Sequence, residues 1–532
     1  MRRRSRPALA LLAVGMALTG ATRVPAQQGP WALTNARIET VSRGLIERGT
    51  IVIRDGLITA VGAAVTVPPD ARVLDLSGRT VSPGLIDLIS SAGLPAIPPS
   101  TTPGGAGQAT SPSGLEPDNL VAELVRLSPS DARSLRGSGI TAVLVARSRG
   151  LFRGQSALLP ARDSATGTSA IRSPVAQHVG YQGVGGGVYP GSLLGVIATQ
   201  RQMLFDAKRY GILIDRWRSS PRGLTRPEHD ARLEALVPAA RAQQPVFVDA
   251  RNENEIRRAA RLGREHGLKL TVVGATEGWR AVDALRGIGT VVSLDFPRAT
   301  EVTGWRFRAG LNRTPGDSAA ADREARKLIE GNAAALHQAG IRFALSSGGR
   351  PSELLTNVRK VVSAGLPVRV ALEALTQRPA ELAGVADALG TIEVGKIANL
   401  VVSTGPLLAD SSRISAVFVD GEQFQVAGGE PASAAGTWSL TTNSPQGAME
   451  STLTLLQDGT SLTGTLASDM MGSTPIRDGR ITGRRISWSA TVSLGGNSFT
   501  LTYTGELSGT RMQGTVAAGE FGSFPFTGEK RP

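Results

Sequence analysis

The first regular stretch of the chain alternates apolar and polar residues over residues 30–82. Within it, Asp55-Gly56 separates two strand-like runs, which predicts a β-hairpin with a two-residue turn. A second strand-rich stretch, Leu389–Phe424, lies more than 300 residues later. Each stretch alone is small for a stable sheet. We therefore expect residues 30–82 and 389–424 to form one composite β-sandwich.

The middle of the chain, residues 83–388, alternates short apolar runs with amphipathic helical segments. The strand-like runs include Pro245–Ala250, Leu268–Gly274, Thr290–Phe296 and Ile341–Ser347. After the first of them, Asn252 and Glu255 have the spacing of a helix capping box. Strand–helix units in series predict a parallel sheet closed into a (β/α)₈ TIM-like barrel, an α/β fold. The glycine- and proline-rich stretches Pro95–Pro117 and Gly180–Gly191 are expected to be loops over its mouth.

A third pattern follows a linker rich in glycine, alanine and proline over residues 425–435. From residue 436 to residue 532 the strands are short and alternate, and glycine-containing pairs recur as turn signals. These pairs are Asp458-Gly459, Asp478-Gly479, Gly495-Gly496 and Ser508-Gly509. The pattern predicts a small, all-β, up-and-down barrel that forms a C-terminal domain of its own.

Composition restricts the function further. The chain has 532 residues and a formal charge of +14. It has no cysteine, which excludes disulfides, thiol nucleophiles and cysteine-bound zinc. The arginines are scattered rather than gathered in a basic stripe, so we expect no nucleic-acid partner. Residues 1–26 combine a basic start, the apolar stretch Pro7–Gly20 and the small residues Val24-Pro25-Ala26, which is typical of a secretory signal peptide. We expect export to the periplasm or the cell exterior, with no membrane span after signal cleavage.

Several segments carry a family resemblance. Val81–Leu94, with the sequence VSPGLIDLISSAGL, resembles the first barrel strand of the amidohydrolase superfamily. Ala371–Val385 and Gly390–Val402 are similar to the helix before the return into the N-terminal sandwich and to that return. Tyr189–Tyr210 is similar to a stretch of secreted, imidazolonepropionase-like members. The resemblance covers about residues 30–425 and implies a metal-dependent hydrolase of carbon–nitrogen bonds, such as those of cyclic amides.

The residues that this chemistry needs are different here. In the family, zinc held by imidazoles and carboxylates lowers the pKa of a bound water and generates the nucleophile. By the resemblance, Ile89 and Ser91 occupy the positions of the His-x-His metal pair, and Asp249 stands where relatives carry histidine. The family's aspartate on the last strand is replaced by Ser347 or Gly348. A hydrocarbon has no lone pair to donate and a serine hydroxyl is a poor ligand, so we expect neither zinc nor another cofactor.

Other candidates for acid–base chemistry are few. His178 precedes a glycine-rich stretch near a strand end, whereas His229 and His337 are predicted on helices and His266 at a helix end. His178, Asp249, Asp295 and Glu277 are candidate residues of a cleft. The alternative is that the carboxylates bind loop backbone or pair with arginines.

Three functions remain open from the sequence. The first is a non-catalytic binding protein, for a small molecule or as the silent partner of an active amidohydrolase relative. The second is a hydrolase of carbon–nitrogen bonds that works through an atypical site. The third places a ligand-binding or adhesion role in the C-terminal β-barrel, since a fold does not by itself determine an activity.

Overall fold

The computed structural model describes residues 30–95, 114–181, 190–296, 315–426 and 434–531. The last range has breaks at residues 445–446, 459–460, 469–471, 483–484, 495–496, 509 and 520–521. The predicted signal peptide, most of the linker, and much of the predicted loops Pro95–Pro117 and Gly180–Gly191 lie outside the described residues. Within the described part of the chain, no helix combines the length and apolar composition needed to cross a membrane.

Strands and helices are numbered from the N-terminus. The strands are β1 (Trp31–Glu39), β2 (Leu45–Arg54), β3 (Leu57–Gly62), β4 (Arg72–Asp75), β5 (Thr80–Pro83), β6 (Leu85–Ser90), β7 (Ile140–Val145), β8 (Phe152–Gln155), β9 (Ala157–Pro160), β10 (Gln177–Val179), β11 (Val246–Ala250), β12 (Leu270–Gly274), β13 (Gly289–Ser293), β14 (Ala344–Ser346), β15 (Leu400–Ser403), β16 (Ile414–Val419), β17 (Glu422–Gln425), β18 (Gly436–Ser444), β19 (Gly447–Asp458), β20 (Ser461–Ser468), β21 (Gly472–Thr482), β22 (Arg485–Leu494), β23 (Asn497–Ser508), β24 (Arg511–Ala517) and β25 (Ser523–Lys530). The helices are α1 (Val121–Leu124), α2 (Pro129–Gly137), α3 (Leu193–Ser219), α4 (Ala231–Ala240), α5 (Glu253–His266), α6 (Val282–Leu285), α7 (Pro315–Gln338), α8 (Leu354–Ser363), α9 (Val368–Leu375) and α10 (Gln377–Ala383).

The two strand-rich stretches join in one sheet. Its strand order is β17-β16-β15-β5-β1-β2-β3, with β4 beside β1. Strands β5 and β15 are neighbours although the whole barrel lies between them in sequence, and Val81 pairs with Val402. Between β2 and β3, Asp55 and Gly56 have φ values of 50° and 79°, the left-handed pair that a type I′ hairpin requires. The predicted hairpin is therefore confirmed.

The parallel barrel fills the middle of the chain. β6 pairs with β7, and β10 to β14 pair in sequence, all in parallel. The position between β7 and β10 is taken by β9 and β8, which pair antiparallel to β7 and β10, respectively. One apolar cluster draws on β6, β7, β11, β12, β13 and β14, which is the packed interior of such a barrel. The predicted TIM-like fold class is confirmed, with an antiparallel segment at its third position.

The first and last barrel strands meet at a seam made by side chains. β6 and β14 belong to separate hydrogen-bonded sheets although they lie side by side. Asp87 on β6 is 1% exposed and accepts hydrogen bonds from the hydroxyls of Ser346 and Ser347 and, at 3.1 Å, from the backbone N–H of Ser347. Asp87 thus takes the place of backbone pairing at this seam.

The C-terminal strands β18 to β25 form a closed antiparallel barrel. Its apolar core contains a group of packed aromatic rings: Trp488 stacks on Tyr503 at 4.8 Å between ring centroids, and Phe526 meets both rings edge-on. The predicted turn Asp478-Gly479 is wrong, because both residues lie inside β21. Asp478 has φ 52° and a Cβ at Gly479 would lie 2.2 Å from the carbonyl oxygen of Leu462, so the pair forms a bulge in the strand.

Candidate functional site

Ile89 and Ser91 stand at the carboxyl end of β6, where catalytic groups of such barrels lie. Ile89 is half-buried and packs against the apolar cluster inside the barrel. Ser91 lies beyond the strand and is exposed. These two side chains provide an apolar contact and a solvated hydroxyl at the barrel mouth.

Asp249 near the end of β11 is paired with an arginine that the sequence did not single out. Arg153 on β8 is 6% exposed, and its Nη1 lies 3.3 Å from Oδ2 of Asp249. The Nε of Arg153 donates to the carbonyl oxygen of Gly150 at 3.1 Å. A Cβ at Gly180 would lie 2.0 Å from Nη2 of Arg153. Glycine at position 180 therefore makes the space in which this buried guanidinium lies.

Asp295, just after β13, is the acceptor of a second ion pair. Its Oδ2 accepts from Nη1 of Arg251 at 2.8 Å, and its Oδ1 accepts from the Ser293 hydroxyl at 2.5 Å. The pKa of Arg251 is raised, because the carboxylates of Asp295 and Asp249 outweigh the opposing effect of burial. The ion pairs Arg153–Asp249 and Arg251–Asp295, with the Ser293 hydroxyl on Asp295, are together called the mouth network.

Two glycines leave the room that the mouth network occupies. A Cβ at Gly348 would lie 2.2 Å from the hydroxyl oxygen of Ser293 and 2.7 Å from Cβ of Asp295, and Gly348 has φ 65°. A Cβ at Gly274 would lie 2.9 Å from Cγ of Arg251. Position 348, one of the two where the resemblance places the family's aspartate, accepts no side chain while Ser293 and Asp295 keep their places.

His178 lies inside the barrel beside the network. It is 7% exposed, its ring centroid is 5.4 Å from that of Phe247, and its Nε2 has no hydrogen-bond partner among the described residues. Burial and the charge of Arg153 lower the pKa of His178 to about 3. The imidazole is therefore neutral at physiological pH and too weak a base to take a proton there.

The remaining candidates lie away from the mouth network or have structural partners. Glu277 is buried and accepts from the backbone N–H of Glu253 at 3.0 Å, at the start of α5. The predicted position of His229 on a helix is wrong: α4 begins after Asp230, whose carboxylate accepts from two backbone N–H groups and so fixes the start. His266 ends α5 against Phe205, with ring centroids 4.6 Å apart, and His337 lies in the last turn of α7.

Comparison with known proteins shows a family match over part of the chain and a shared fold over most of it. The model of the amidohydrolase family matches residues 240–429. The crystal structure of an amidohydrolase from Thermotoga maritima MSB8 superposes with a TM-score of 0.60 at 22% identity, covering 74% of this chain and 99% of that one. The amidohydrolase family match thus covers residues 240–429, and the larger part of the chain has the fold of that amidohydrolase.

The match to a curated relative is local. Imidazolonepropionase of Mesorhizobium japonicum is 42% identical over 62 residues, which are 10% of this chain and 15% of the relative. The chain thus matches about 15% of the length of that relative. The predicted resemblance to imidazolonepropionase-like proteins is confirmed over those 62 residues.

The mouth network determines the chemistry that the barrel mouth offers. Among the residues that the structure describes, no group of three or more His, Cys, Asp and Glu side chains is placed to hold a metal ion. Asp249 instead faces a guanidinium from a strand 96 positions earlier in the chain. Arg153 was missed because nothing in the local sequence distinguishes it from the other scattered arginines. Arg251, two residues after Asp249, could have been found as a charge at the same strand end.

Proposed function

We propose that this amidohydrolase-superfamily chain is an exported, non-catalytic binding protein whose metal site is degenerate. The observation that carries the proposal is the contact between the Arg153 guanidinium and Asp249. Asp249 is the carboxylate at a position where the resemblance expects a metal ligand. Its Oδ2 is already occupied by a buried cation of fixed charge.

The residues at the barrel mouth do not fit a zinc ion. Zinc needs about four lone-pair donors at about 2.0–2.3 Å. Ile89 offers none, Ser91 offers a neutral hydroxyl, and Gly348 has no side chain. A divalent ion next to Asp249 would also meet the charge of Arg153, which is 6% exposed and therefore poorly screened. Binding of a small molecule needs none of these ligands.

A hydrolase with an atypical site is less well supported by the geometry. Asp249 and Asp295 both accept hydrogen bonds from guanidinium groups, which occupy lone pairs that a general base would need. His178 has a pKa of about 3 and is not a base at neutral pH. The barrel mouth retains polar groups that can recognise a ligand, without a group poised to activate water.

Elemental analysis and an activity assay test the proposal together. We expect the purified mature chain to contain substoichiometric zinc after incubation with zinc salts and gentle gel filtration, and to leave hydantoin and dihydrouracil unhydrolysed. The triple variant I89H/S91H/D249H is the matched comparison, because it restores side chains that can ligate a metal. About one zinc per wild-type chain, or zinc-dependent turnover, would overturn the proposal.

Export is the second part of the proposal and rests on residues 1–26. N-terminal sequencing of protein recovered from the periplasm or the medium should begin at Gln27. Recovery of the full-length chain from the cytoplasm alone would contradict export and leave the metal-free site untouched.

A further inference from the structure

We propose that the Arg153 guanidinium takes the place of the family's metal ion, and that its Nη2 binds an oxygen of a small, singly charged carboxylate at the barrel mouth. This inference rests on the proposed function, because it requires a metal-free mouth. It goes further in assigning both the anchoring residue and the chemical class of the ligand.

The hydrogen-bonding capacity of Arg153 is only partly used. A guanidinium carries five N–H donors. The Nε of Arg153 donates to Gly150 and Nη1 to Asp249, whereas no described residue accepts from Nη2. Nη2 is also not fully closed off from solvent. An otherwise buried cation therefore presents a free donor to a space that an acceptor atom can enter.

The local chain leaves room for this guanidinium. Gly180 follows β10, and a Cβ there would lie 2.0 Å from Nη2. His178, two residues earlier, is neutral, since burial and Arg153 lower its pKa to about 3. It therefore adds no repulsion toward Arg153, and its unpartnered Nε2 is a further polar atom on the same strand. Phe247 and Ile89 belong to the apolar cluster of the barrel interior.

The charges around Arg153 favour one negative charge on the ligand. Asp249 contacts Nη1 of Arg153, and Asp295 is joined to Arg251 at 2.8 Å. The four charges of the mouth network sum to zero, so a phosphate or sulfate dianion would meet two carboxylates without a compensating excess of cations. A monocarboxylate places one oxygen on Nη2 in a charge-assisted hydrogen bond.

Saturation-transfer NMR with sodium acetate as the probe tests the inference on the full mature chain. We expect saturation of the protein to reach the acetate methyl protons for the wild type and for R359K, and to be lost in R153K. Arg359 lies at a surface cleft with Lys327 and Asp410, away from the mouth network, so R359K is the matched control. Lysine keeps the charge of Arg153 but lacks the planar fork.

A second variant keeps the test decisive if R153K fails to fold, as judged by circular dichroism. D249N retains Arg153 and removes the carboxylate that competes for it, so half-maximal transfer should occur at a several-fold lower acetate concentration. Equal transfer in wild type and R153K, no transfer in wild type, unchanged binding in D249N, or equally good competition by sulfate would each overturn the inference. Stoichiometric zinc in the wild type would instead overturn the proposed function, so the two failures are distinguishable.

Discussion

The chain contains two barrels of similar strand number that are closed in different ways. The antiparallel barrel, β18 to β25, closes by backbone pairing between β18 and β25 and is filled by aliphatic and aromatic side chains. The parallel barrel closes between β6 and β14 through Asp87 and two serines, and its mouth holds paired charges. The parallel barrel thus buries polar side chains at its seam and at its mouth. The antiparallel barrel has an apolar interior and a continuous ladder.

The largest expected effect is the loss of an aromatic side chain from the antiparallel barrel. Trp488 is 1% exposed and touches the rings of Tyr503 and Phe526. Trp488→Ala should lower the free energy of unfolding of this barrel by about 3–5 kcal/mol, because it removes buried apolar contacts and leaves a cavity. Urea unfolding followed by circular dichroism should show an earlier transition for this barrel and an unchanged one for the rest of the chain. A single transition that shifts as a whole would contradict the independence of the two barrels.

Removal of Asp87 tests the seam of the parallel barrel. Asp87→Ala leaves the donors of Ser346 and Ser347 without their acceptor in a buried site, which should cost about 3 kcal/mol. The matched control is Asp118→Ala, at an exposed position. We expect urea to unfold the parallel barrel earlier in the Asp87 variant and the antiparallel barrel at its usual concentration. A variant as stable as the control would mean that the seam is held by other contacts.

Gly348→Asp introduces an acidic residue at one of the two positions where the resemblance places the family's aspartate. The new Cβ would lie 2.2 Å from the Ser293 hydroxyl oxygen on a backbone with φ 65°, so the change should destabilise the parallel barrel by about 1–3 kcal/mol. Adding Ser293→Ala should recover part of this loss, which thermal unfolding of the single and double variants will measure. A Gly348→Asp variant as stable as the wild type would show that Ser293 and Asp295 can move aside at little cost in free energy.

The smallest expected effect is a pH dependence confined to the parallel barrel. Burial raises the pKa of Asp87 above 3.8, against the opposing hydrogen bonds from Ser346 and Ser347. A raised carboxyl pKa contributes stability that is complete below the unfolded value and is lost as the pH rises through the folded value. The stability of wild type relative to Asp87→Asn should therefore fall as the pH is raised from acid to neutral. A relative stability that increases over this range would reverse the assigned direction.

Local signals in the sequence predicted the elements that depend on neighbouring residues. The Asp55-Gly56 turn, the capping box of Asn252 and Glu255, and the alternation of strands and helices needed only short-range rules. The bulge at Asp478-Gly479 was mistaken for a turn, because the same pair of residues serves either structure and the neighbouring strand decides.

The candidate site was predicted less completely for a similar reason. Asp249 and Gly348 could be found by position in the resemblance, whereas Arg153 reaches Asp249 from 96 residues away. The antiparallel segment that carries Arg153 breaks the regular strand–helix alternation on which the barrel prediction rests. A charge pair of this kind becomes visible only when the strands are placed side by side.

Thermal unfolding in excess zinc, compared with unfolding in a chelator, tests the central claim most directly. A metal bound to the native barrel stabilises it in proportion to the logarithm of the free metal concentration. We predict the same unfolding temperature for the parallel barrel in both conditions, because the guanidinium of Arg153 already occupies Asp249. An unfolding temperature that rises steadily with zinc and falls on chelation would contradict this claim.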